Sequence, residues 1–170
     1  YAPGVPASIN YERITLHEMF YRTAAKYPDR DALIFQGFRI KYSELRDLVD
    51  TLAAFLSSKG IKKGDVVAIL LPNMIQTVAS YYAVLKIGGI VQMNNPLYTD
   101  RELEYQFNDS GAKFLITLDL LASRMIALRD KTKIEHIIWT SIADYLPGLK
   151  KFLVKLVGKK KGLCADVPAA

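Results

Sequence analysis

The sequence is poor in the residues that build disulfides and metal centres. Cys164 is its only cysteine, and its two histidines, His17 and His136, are far apart in the chain. A single cysteine excludes an intrachain disulfide and indicates a reducing compartment. Structural and catalytic zinc sites need several Cys or His ligands, so the sequence predicts no metal site.

Long apolar runs and nucleotide-binding motifs are also missing. No apolar run approaches the ~20 residues that span a bilayer, and the N-terminus has no signal-peptide pattern. The chain contains no G-x-x-x-x-G-K-[ST], G-x-G-x-x-G or G-x-S-x-G sequence. We interpret His17, in a predicted helix, and His136, in a predicted strand, as packed or surface residues. The residues alone therefore provide no complete catalytic set.

What the chain does contain is the composition of a soluble globular domain. It has 170 residues, 51% hydrophobic and 24% charged, which suffice for one domain with a substantial core and exclude a disordered or fibrous chain. The sequence begins at Tyr1 without an initiator methionine and ends in a loose CADVPAA. We expect it to be part of a longer protein.

The positive charge lies in one segment near the C-terminus. Residues 145–162 hold six lysines and no acid, which accounts for the net charge of +6 and leaves the remainder neutral. A basic amphipathic helix is typical of an anionic membrane surface. The candidate membrane contacts are Leu149, Lys150, Lys151, Phe152, Lys155, Leu156, Lys159, Lys160 and Lys161. A packed helix with solvated lysines, or a linker, is the alternative.

Local signals predict the boundaries of several elements. Thr15 with Glu18, and Thr99 with Glu102, form capping boxes at the start of two helices. Gln36-Gly37 lies between two apolar runs and predicts a hairpin turn. Asn73 is a candidate N-cap for the helix that follows it.

Helices and strands alternate along the rest of the chain. An amphipathic helix is predicted over 42–60. A strand covered on both faces is predicted in DVVAILLP, further strands in GIVQMN, AKFLIT and IEHIIWT, and helices between them. Regular alternation predicts an α/β fold: a three-layer α/β/α domain with a mostly parallel sheet and an N-terminal β-hairpin, joined by right-handed crossovers. We assign 1–144 to this domain and 145–170 to a basic helix and linker.

Ligands of open α/β sheets bind beyond the carboxyl ends of the strands. The residues predicted there are Asn73, Gln92 to Asn95, and Thr117. Among them, Asn73, Asn94, Asn95 and Thr117 are the candidates for a binding crevice. The competing interpretation is structural: Asn73 caps a helix, and Asn95 is held extended by Pro96.

Taken in order, four segments resemble the N-terminal part of the adenylate-forming (AMP-binding) enzymes. They are YSEL at 42–45, KKGDVVAILLPN at 62–73, AVLKIGGIVQMNNP at 83–96 and TDRELEYQFNDSGAKFLI at 99–116. The basic, apolar segment after residue 144 is similar to an insertion in long-chain fatty-acid–CoA ligases. The resemblance covers about residues 11–145.

The resemblance implies an enzyme that activates a fatty acid with ATP and Mg²⁺ to an acyl-adenylate, releases pyrophosphate and transfers the acyl group to coenzyme A. We also expect a cytoplasmic location, either free in the cytoplasm or in peripheral contact with the inner face of the membrane. The family's phosphate loop, adenine- and ribose-binding motifs and C-terminal lysine belong after residue 170. This chain is therefore expected to be inactive without the remaining nucleotide-binding and C-terminal domains.

Two alternatives stay open. The parent enzyme could adenylate another carboxylic acid, such as an aryl, small acyl or amino acid. The chain could also be a non-catalytic α/β interaction module that binds membranes through its basic segment.

Overall fold

The computed structural model describes residues 2–146. In chain order, the elements are α1 (Leu16–Lys26), β1 (Asp31–Phe35), β2 (Phe38–Lys41), α2 (Tyr42–Ser58), β3 (Val66–Leu70), α3 (Ile75–Lys86), β4 (Ile90–Met93), α4 (Asp100–Ser110), β5 (Phe114–Leu118), α5 (Ala122–Arg129) and β6 (His136–Thr140). Short 3₁₀ turns occupy Asp119–Leu121 and Ile142–Tyr145.

The predicted α/β architecture is confirmed. Strands β3 to β6 form a parallel sheet in the order β4-β3-β5-β6, so β3 and β5 are central. Both central strands are buried along nearly their whole length. Their near-continuous apolar sequences arise because each face of the sheet is covered by helices.

Two apolar cores lie on opposite faces of the sheet. One contains residues of α2 and α3 together with Val67, Ile69 and Ile116. The other contains residues of α4 and α5 together with Ala68, Leu70 and Leu115. Adjacent strand residues point to opposite faces, so β3 and β5 contribute to both cores. The domain thus has three layers.

The N-terminal hairpin, β1 with β2, is confirmed as a separate two-stranded antiparallel sheet. Its turn residues Gln36 and Gly37 both have positive φ, 52° and 89°, as a two-residue type I′ connection requires. The hairpin reaches the main domain through Phe38, whose ring meets that of Tyr145 edge-on at 5.5 Å.

Both predicted capping boxes are present. The Thr15 and Thr99 hydroxyls accept from the Glu18 and Glu102 amides, and the two glutamates bond back to the threonine amides. These bonds satisfy N–H groups that the first helical turn leaves free. Short-range sequence patterns therefore fixed both helix starts.

The prediction that Asn73 caps α3 is wrong. The N-cap is Met74, which makes no side-chain capping bond, whereas Asn73 is exposed. Met74 and Ile75 are 4% and 1% exposed, so burial of these two apolar side chains determines where the helix begins. The Thr77 hydroxyl instead donates to the Pro72 carbonyl at this end of the helix.

Only Tyr145 and Leu146 of the basic segment 145–162 are among the described residues. All of its candidate membrane contacts lie outside them. In the described part of the chain, no helix is long and apolar enough to cross a membrane.

Candidate functional site

The carboxyl edge of the parallel sheet carries the four polar candidates from the sequence. Asn73 follows β3, Asn94 and Asn95 follow β4, and Thr117 lies within β5. Two of them, Asn94 and Thr117, flank the end of β3 on opposite sides. The Asn94 amide donates to the Ile69 carbonyl at 2.9 Å, and the Thr117 hydroxyl donates to the Leu70 carbonyl at 3.2 Å.

Thr117 serves the interior of the domain. It is fully buried, and by strand alternation it shares the α4/α5 face with Leu70. Its hydroxyl proton is used in the bond to Leu70 O, which satisfies a polar group that would be costly to bury alone. The structural interpretation therefore fits Thr117 better than the crevice interpretation.

Asn94 is also buried, at 4% exposure, and extends the β4–β3 ladder by one residue. Its Nδ2 donates to the Gln92 carbonyl at 3.1 Å. Its Oδ1 is buried and has no hydrogen-bond partner among the described residues. The same holds for Gln92 Oε1, two residues earlier on the same face of β4. The sequence analysis places Gln92 among the residues at the carboxyl end of this strand.

Asn95 and Asn73 are both exposed. Asn95 Oδ1 accepts from the Leu97 amide at 3.0 Å, and its carbonyl accepts from the Tyr98 amide at 3.0 Å. This side-chain-stabilised turn supports the structural interpretation of Asn95. Asn73 lines a shallow pocket of about 260 Å³ between the hairpin and the start of α3, beside Phe35 and Val78.

The described residues at the carboxyl edge of the sheet do not fit the phosphates of a nucleoside triphosphate. Among the described residues, the connections 71–74, 94–99, 119–121 and 141–145 contain no glycine, lysine or arginine. Arg124 is the nearby cation, and it is bound to Asp100 at 2.5 Å and to the Tyr98 carbonyl. A phosphate cradle needs convergent backbone amides or free cations. We therefore derive no step through ATP at this edge.

Of the two acids in the first turn of α4, Glu102 caps the helix and Asp100 pairs with Arg124. The backbone amide of Thr99 lowers the pKa of Glu102, and the Thr99 hydroxyl lowers it further. A carboxylate held in its ionised form in this way is a poor general acid. Among the described residues, no cluster of three or more His, Cys, Asp or Glu could hold a metal ion.

The two histidines serve no shared site. His17 lies in α1, and the His136 ring is stacked on Phe114 with ring centres 5.0 Å apart. This is the packed or surface role that the sequence predicts for His136.

A cluster of charged and aromatic groups joins three helices on the α2/α3 face. The Tyr21 hydroxyl of α1 donates to Asp50 of α2, and Lys86 Nζ of α3 lies 2.6 Å from the same carboxylate. Burial raises the pKa of Asp50, but hydrogen bonds from Lys86 and Tyr21 outweigh it and hold the pKa below its usual value. The bond to Asp50 raises the pKa of Lys86. These interactions link α1, α2 and α3.

The class of domain is now defined. A parallel β4-β3-β5-β6 sheet with helices on both faces and an appended hairpin is the N-terminal α/β subdomain seen in adenylate-forming enzymes. The model of the AMP-binding enzyme family matches residues 20–163, and the chain belongs to this family.

Curated relatives support the same conclusion. The chain is 42% identical over 161 residues to a long-chain-fatty-acid–CoA ligase of Bacillus subtilis (strain 168), covering 95% of this chain and 29% of that protein. It is 38% identical over 161 residues to the enzyme of the same name from Escherichia coli O157:H7, covering 94% of this chain and 29% of that protein. The chain spans less than a third of the length of these relatives, at their N-terminal part.

Solved structures share the fold. A long-chain-fatty-acid-CoA ligase from Archaeoglobus fulgidus has a TM-score of 0.73 and 28% identity, covering 78% of this chain and 28% of that one. The N-terminal subdomain of NpsA from Klebsiella oxytoca has a TM-score of 0.63 and 26% identity, covering 73% of this chain and 30% of that one.

Proposed function

We propose that this chain forms the N-terminal part of an ATP-dependent long-chain fatty-acid–CoA ligase. The parent enzyme joins a fatty acid and coenzyme A through an acyl-adenylate and releases AMP and pyrophosphate. The observation that carries the proposal is the 42% identity to the Bacillus subtilis ligase across 161 of the 170 residues. The confirmed family and the ligase fold of the Archaeoglobus neighbour support it.

In this proposal the chain is a scaffold and is inactive alone. Its carboxyl-edge connections offer no phosphate cradle, and Asn95 and Thr117 are engaged in local hydrogen bonds. ATP supplies the adenylyl group that activates the acid, and Mg²⁺, ATP and coenzyme A are bound by the remaining nucleotide-binding and C-terminal domains. The exposed apolar residues Met93 and Leu97, 50% and 89% exposed at the carboxyl edge, are candidates for contact with those domains.

Pyrophosphate release tests the proposal. The isolated chain is assayed with MgATP, coenzyme A and hexadecanoate, and then again when fused in place of the matched N-terminal part of the Bacillus subtilis ligase. We expect no turnover from the chain alone and turnover from the fusion. Turnover by the isolated chain refutes its inactivity alone; a folded fusion that accepts no fatty acid refutes the ligase assignment.

Another carboxylic acid is the second candidate within the family. The N-terminal subdomain of NpsA, solved in complex with anthranilyl-AMSN and with 3-hydroxybenzoyl-AMSN, shares the fold at 26–27% identity. A probable CoA ligase of Humulus lupulus is 33% identical over 136 residues. Assaying the fusion with benzoate, acetate and amino acids beside hexadecanoate separates these substrates. A preference for any of these acids over hexadecanoate would replace the fatty acid as the proposed substrate.

A third candidate is a non-catalytic interaction module that contacts the membrane through 145–162. The observation in its favour is the concentration of six lysines and no acid in that segment. The same segment would bring a cytoplasmic ligase to the inner face of the membrane. Co-sedimentation with anionic liposomes, comparing the chain with a version ending at Asp144, tests the contact; equal binding removes it.

A further inference from the structure

The amino edge of the parallel sheet, where its strands begin, is built from four adjacent connections. They are residues 59–65 before β3, 88–90 at the start of β4, 111–113 before β5 and 130–135 before β6. The Gly64 amide donates to the Gly88 carbonyl at 2.9 Å. The Lys113 amide donates to the Val66 carbonyl at 3.4 Å, and the Lys113 carbonyl accepts from the Glu135 amide at 2.8 Å. Since neighbouring strands lie about 4.8 Å apart, the four connections form one continuous surface, which we call the amino-edge surface.

The amino-edge surface is positively charged. It holds six lysines and three acids, a net charge of +3. All six lysines are exposed: Lys59, Lys62, Lys63, Lys113, Lys131 and Lys133. The acid Asp65 is engaged within its own turn, because its carboxylate accepts from the Lys62 amide at 2.7 Å. Within the described part of the chain, Lys113 lies 3.7 Å from Glu135, and the other five lysines form no ion pair.

Most of these lysines have no role at a helix end. A cation in the last helical turn interacts favourably with the helix dipole, and this effect falls off beyond that turn. Lys59 directly follows α2 and Lys131 lies just after α5, so the dipole accounts for both. The other four lie three or four residues beyond the preceding helix: Lys62, Lys63, Lys113 and Lys133. Their charges are therefore available to a partner.

The composition of the amino-edge surface favours a lipid membrane over a nucleic acid. Its four connections contain no arginine and no aromatic residue, whereas nucleic-acid sites rely on arginine forks and aromatic stacking. Lysine ammonium groups are point charges, which an anionic lipid surface attracts without a fixed geometry. Ile90, 53% exposed at the start of β4, adds an apolar side chain of the kind that enters a membrane interface.

We propose that the amino-edge surface docks onto the anionic face of a lipid membrane. The four lysines beyond the helix ends contact the lipid phosphates, and Ile90 contacts the boundary with the acyl chains. This contact is made by the α/β domain itself and is separate from the one considered for segment 145–162. It is also independent of the ligase assignment, because it rests on the charge of the surface and not on the reaction of the parent enzyme.

Co-sedimentation of the 170-residue chain with vesicles, at physiological ionic strength, tests the proposal. The probes are vesicles of equal parts phosphatidylglycerol and phosphatidylcholine, and vesicles of phosphatidylcholine alone. The wild type should bind the anionic vesicles and not the neutral ones. The variant Lys62→Gln/Lys63→Gln/Lys133→Gln should bind the anionic vesicles about tenfold more weakly than the wild type, because each lysine near the lipid contributes to binding.

A matched variant controls for net charge. Arg13→Gln/Lys26→Gln/Arg101→Gln removes the same charge at exposed positions outside the amino-edge surface. Salt screens charges that lie away from the lipid, so this variant should change the affinity by less than about twofold. Ile90→Ser should weaken binding to the anionic vesicles while leaving any binding to duplex DNA unchanged. Circular dichroism checks that all variants fold.

Three results would overturn the proposal. Equal affinities of the two triple variants would show that the contact depends on net charge or on segment 145–162 alone. Wild-type binding to neutral vesicles as tight as to anionic ones would exclude an electrostatic contact. Tighter binding of the wild type to duplex DNA than to the anionic vesicles would identify a nucleic-acid surface instead.

Discussion

Among the described glycines, Gly89 has the closest neighbour to an added side chain. A Cβ at this position would lie 2.8 Å from Val84 Cγ1 and 3.2 Å from Val84 O, at the junction between α3 and β4. Contacts under 3.0 Å force neighbouring atoms to shift, and overpacking typically costs about 1–3 kcal/mol. Gly89 therefore allows α3 to end close against the sheet.

We expect Gly89→Ala to lower the free energy of unfolding by about 2 kcal/mol, measured by urea denaturation. Most of this loss should disappear in a Val84→Ala background, because the closest contact is then absent. The double-mutant cycle isolates that contact. An equal loss in both backgrounds would show that the cost arises elsewhere.

The Tyr21–Asp50–Lys86 cluster gives a prediction about pH. The lowered pKa of Asp50 means that its contribution to stability is present above its usual value of 3.8 and is lost as pH falls through the folded pKa. The raised pKa of Lys86 means that its contribution is present below 10.5 and is lost at higher pH. The ion pair therefore stabilises the fold between these limits.

Asp50→Asn should lower the free energy of unfolding by up to about 1 kcal/mol at pH 7, because the Lys86 and Asp50 side chains are 36% and 43% exposed and water screens the pair. The difference from the wild type should shrink as the pH falls below 3.8 and through the lowered pKa of Asp50. Asp47→Asn, at a 67% exposed carboxylate, is the control. A constant difference from pH 7 to pH 3 would contradict the assignment.

At the scale of elements, the start of α4 is marked in the sequence by the Thr99/Glu102 capping box. The contribution of this capping box to stability can be measured. The Glu102 carboxylate accepts from the Thr99 amide at 2.7 Å, and the Thr99 hydroxyl accepts from the Glu102 amide at 3.4 Å. Both residues are exposed. Their role is therefore local, and burial does not complicate the effect of substituting them.

Thr99→Ala should cost about 1 kcal/mol of stability, the usual effect of removing an N-cap side chain. Glu102→Ala should cost less, and the two losses should not add, since the bonds are reciprocal. Glu104→Ala, two residues further along the same helix, is the control. Thermal unfolding followed by circular dichroism measures all four variants; equal effects of Glu102→Ala and Glu104→Ala would exclude the capping role.

Helices, strands and turns could be predicted wherever residues close together in the sequence determine them. The capping boxes, the Gln36-Gly37 turn and the four strands of the parallel sheet were all confirmed, and of these strands β3 and β5 are buried. The prediction that Asn73 caps α3 was wrong. The burial of Met74 and Ile75 outweighed the capping propensity of asparagine, so the helix begins one residue later. The hydrogen bond from Gln76 to the Ser141 carbonyl was not predicted, since one amide in an apolar helix gives no sequence signal of its partner.

At the scale of the whole molecule, two cores share one sheet. Leu56 belongs to the core beneath α2 and α3, and Leu103 belongs to the core beneath α4; both are fully buried. Since β3 and β5 present side chains to both cores, neither core can melt without exposing the strands that hold the other.

We therefore expect one cooperative unfolding transition. Leu56→Ala and Leu103→Ala should each lower the free energy of unfolding by about 2–5 kcal/mol, whereas Leu97→Ala, at 89% exposure, should change it by less than about 0.5 kcal/mol. Trp139 fluorescence and circular dichroism should give the same midpoint for each variant. Separate transitions in either leucine variant would show that the two layers unfold independently.

The sequence by itself determined the elements, their alternation, the parallel sheet and the family resemblance, because apolar periodicity and capping are encoded within a few residues. Tertiary structure decided which polar groups meet. Tyr21, Asp50 and Lys86 are separated by 29 and 36 positions, and Gln76 reaches Ser141 across 65. Such contacts depend on how the helices cross the sheet. Asn94 and Thr117 are interior residues for the same reason: their burial depends on the packing of the layers.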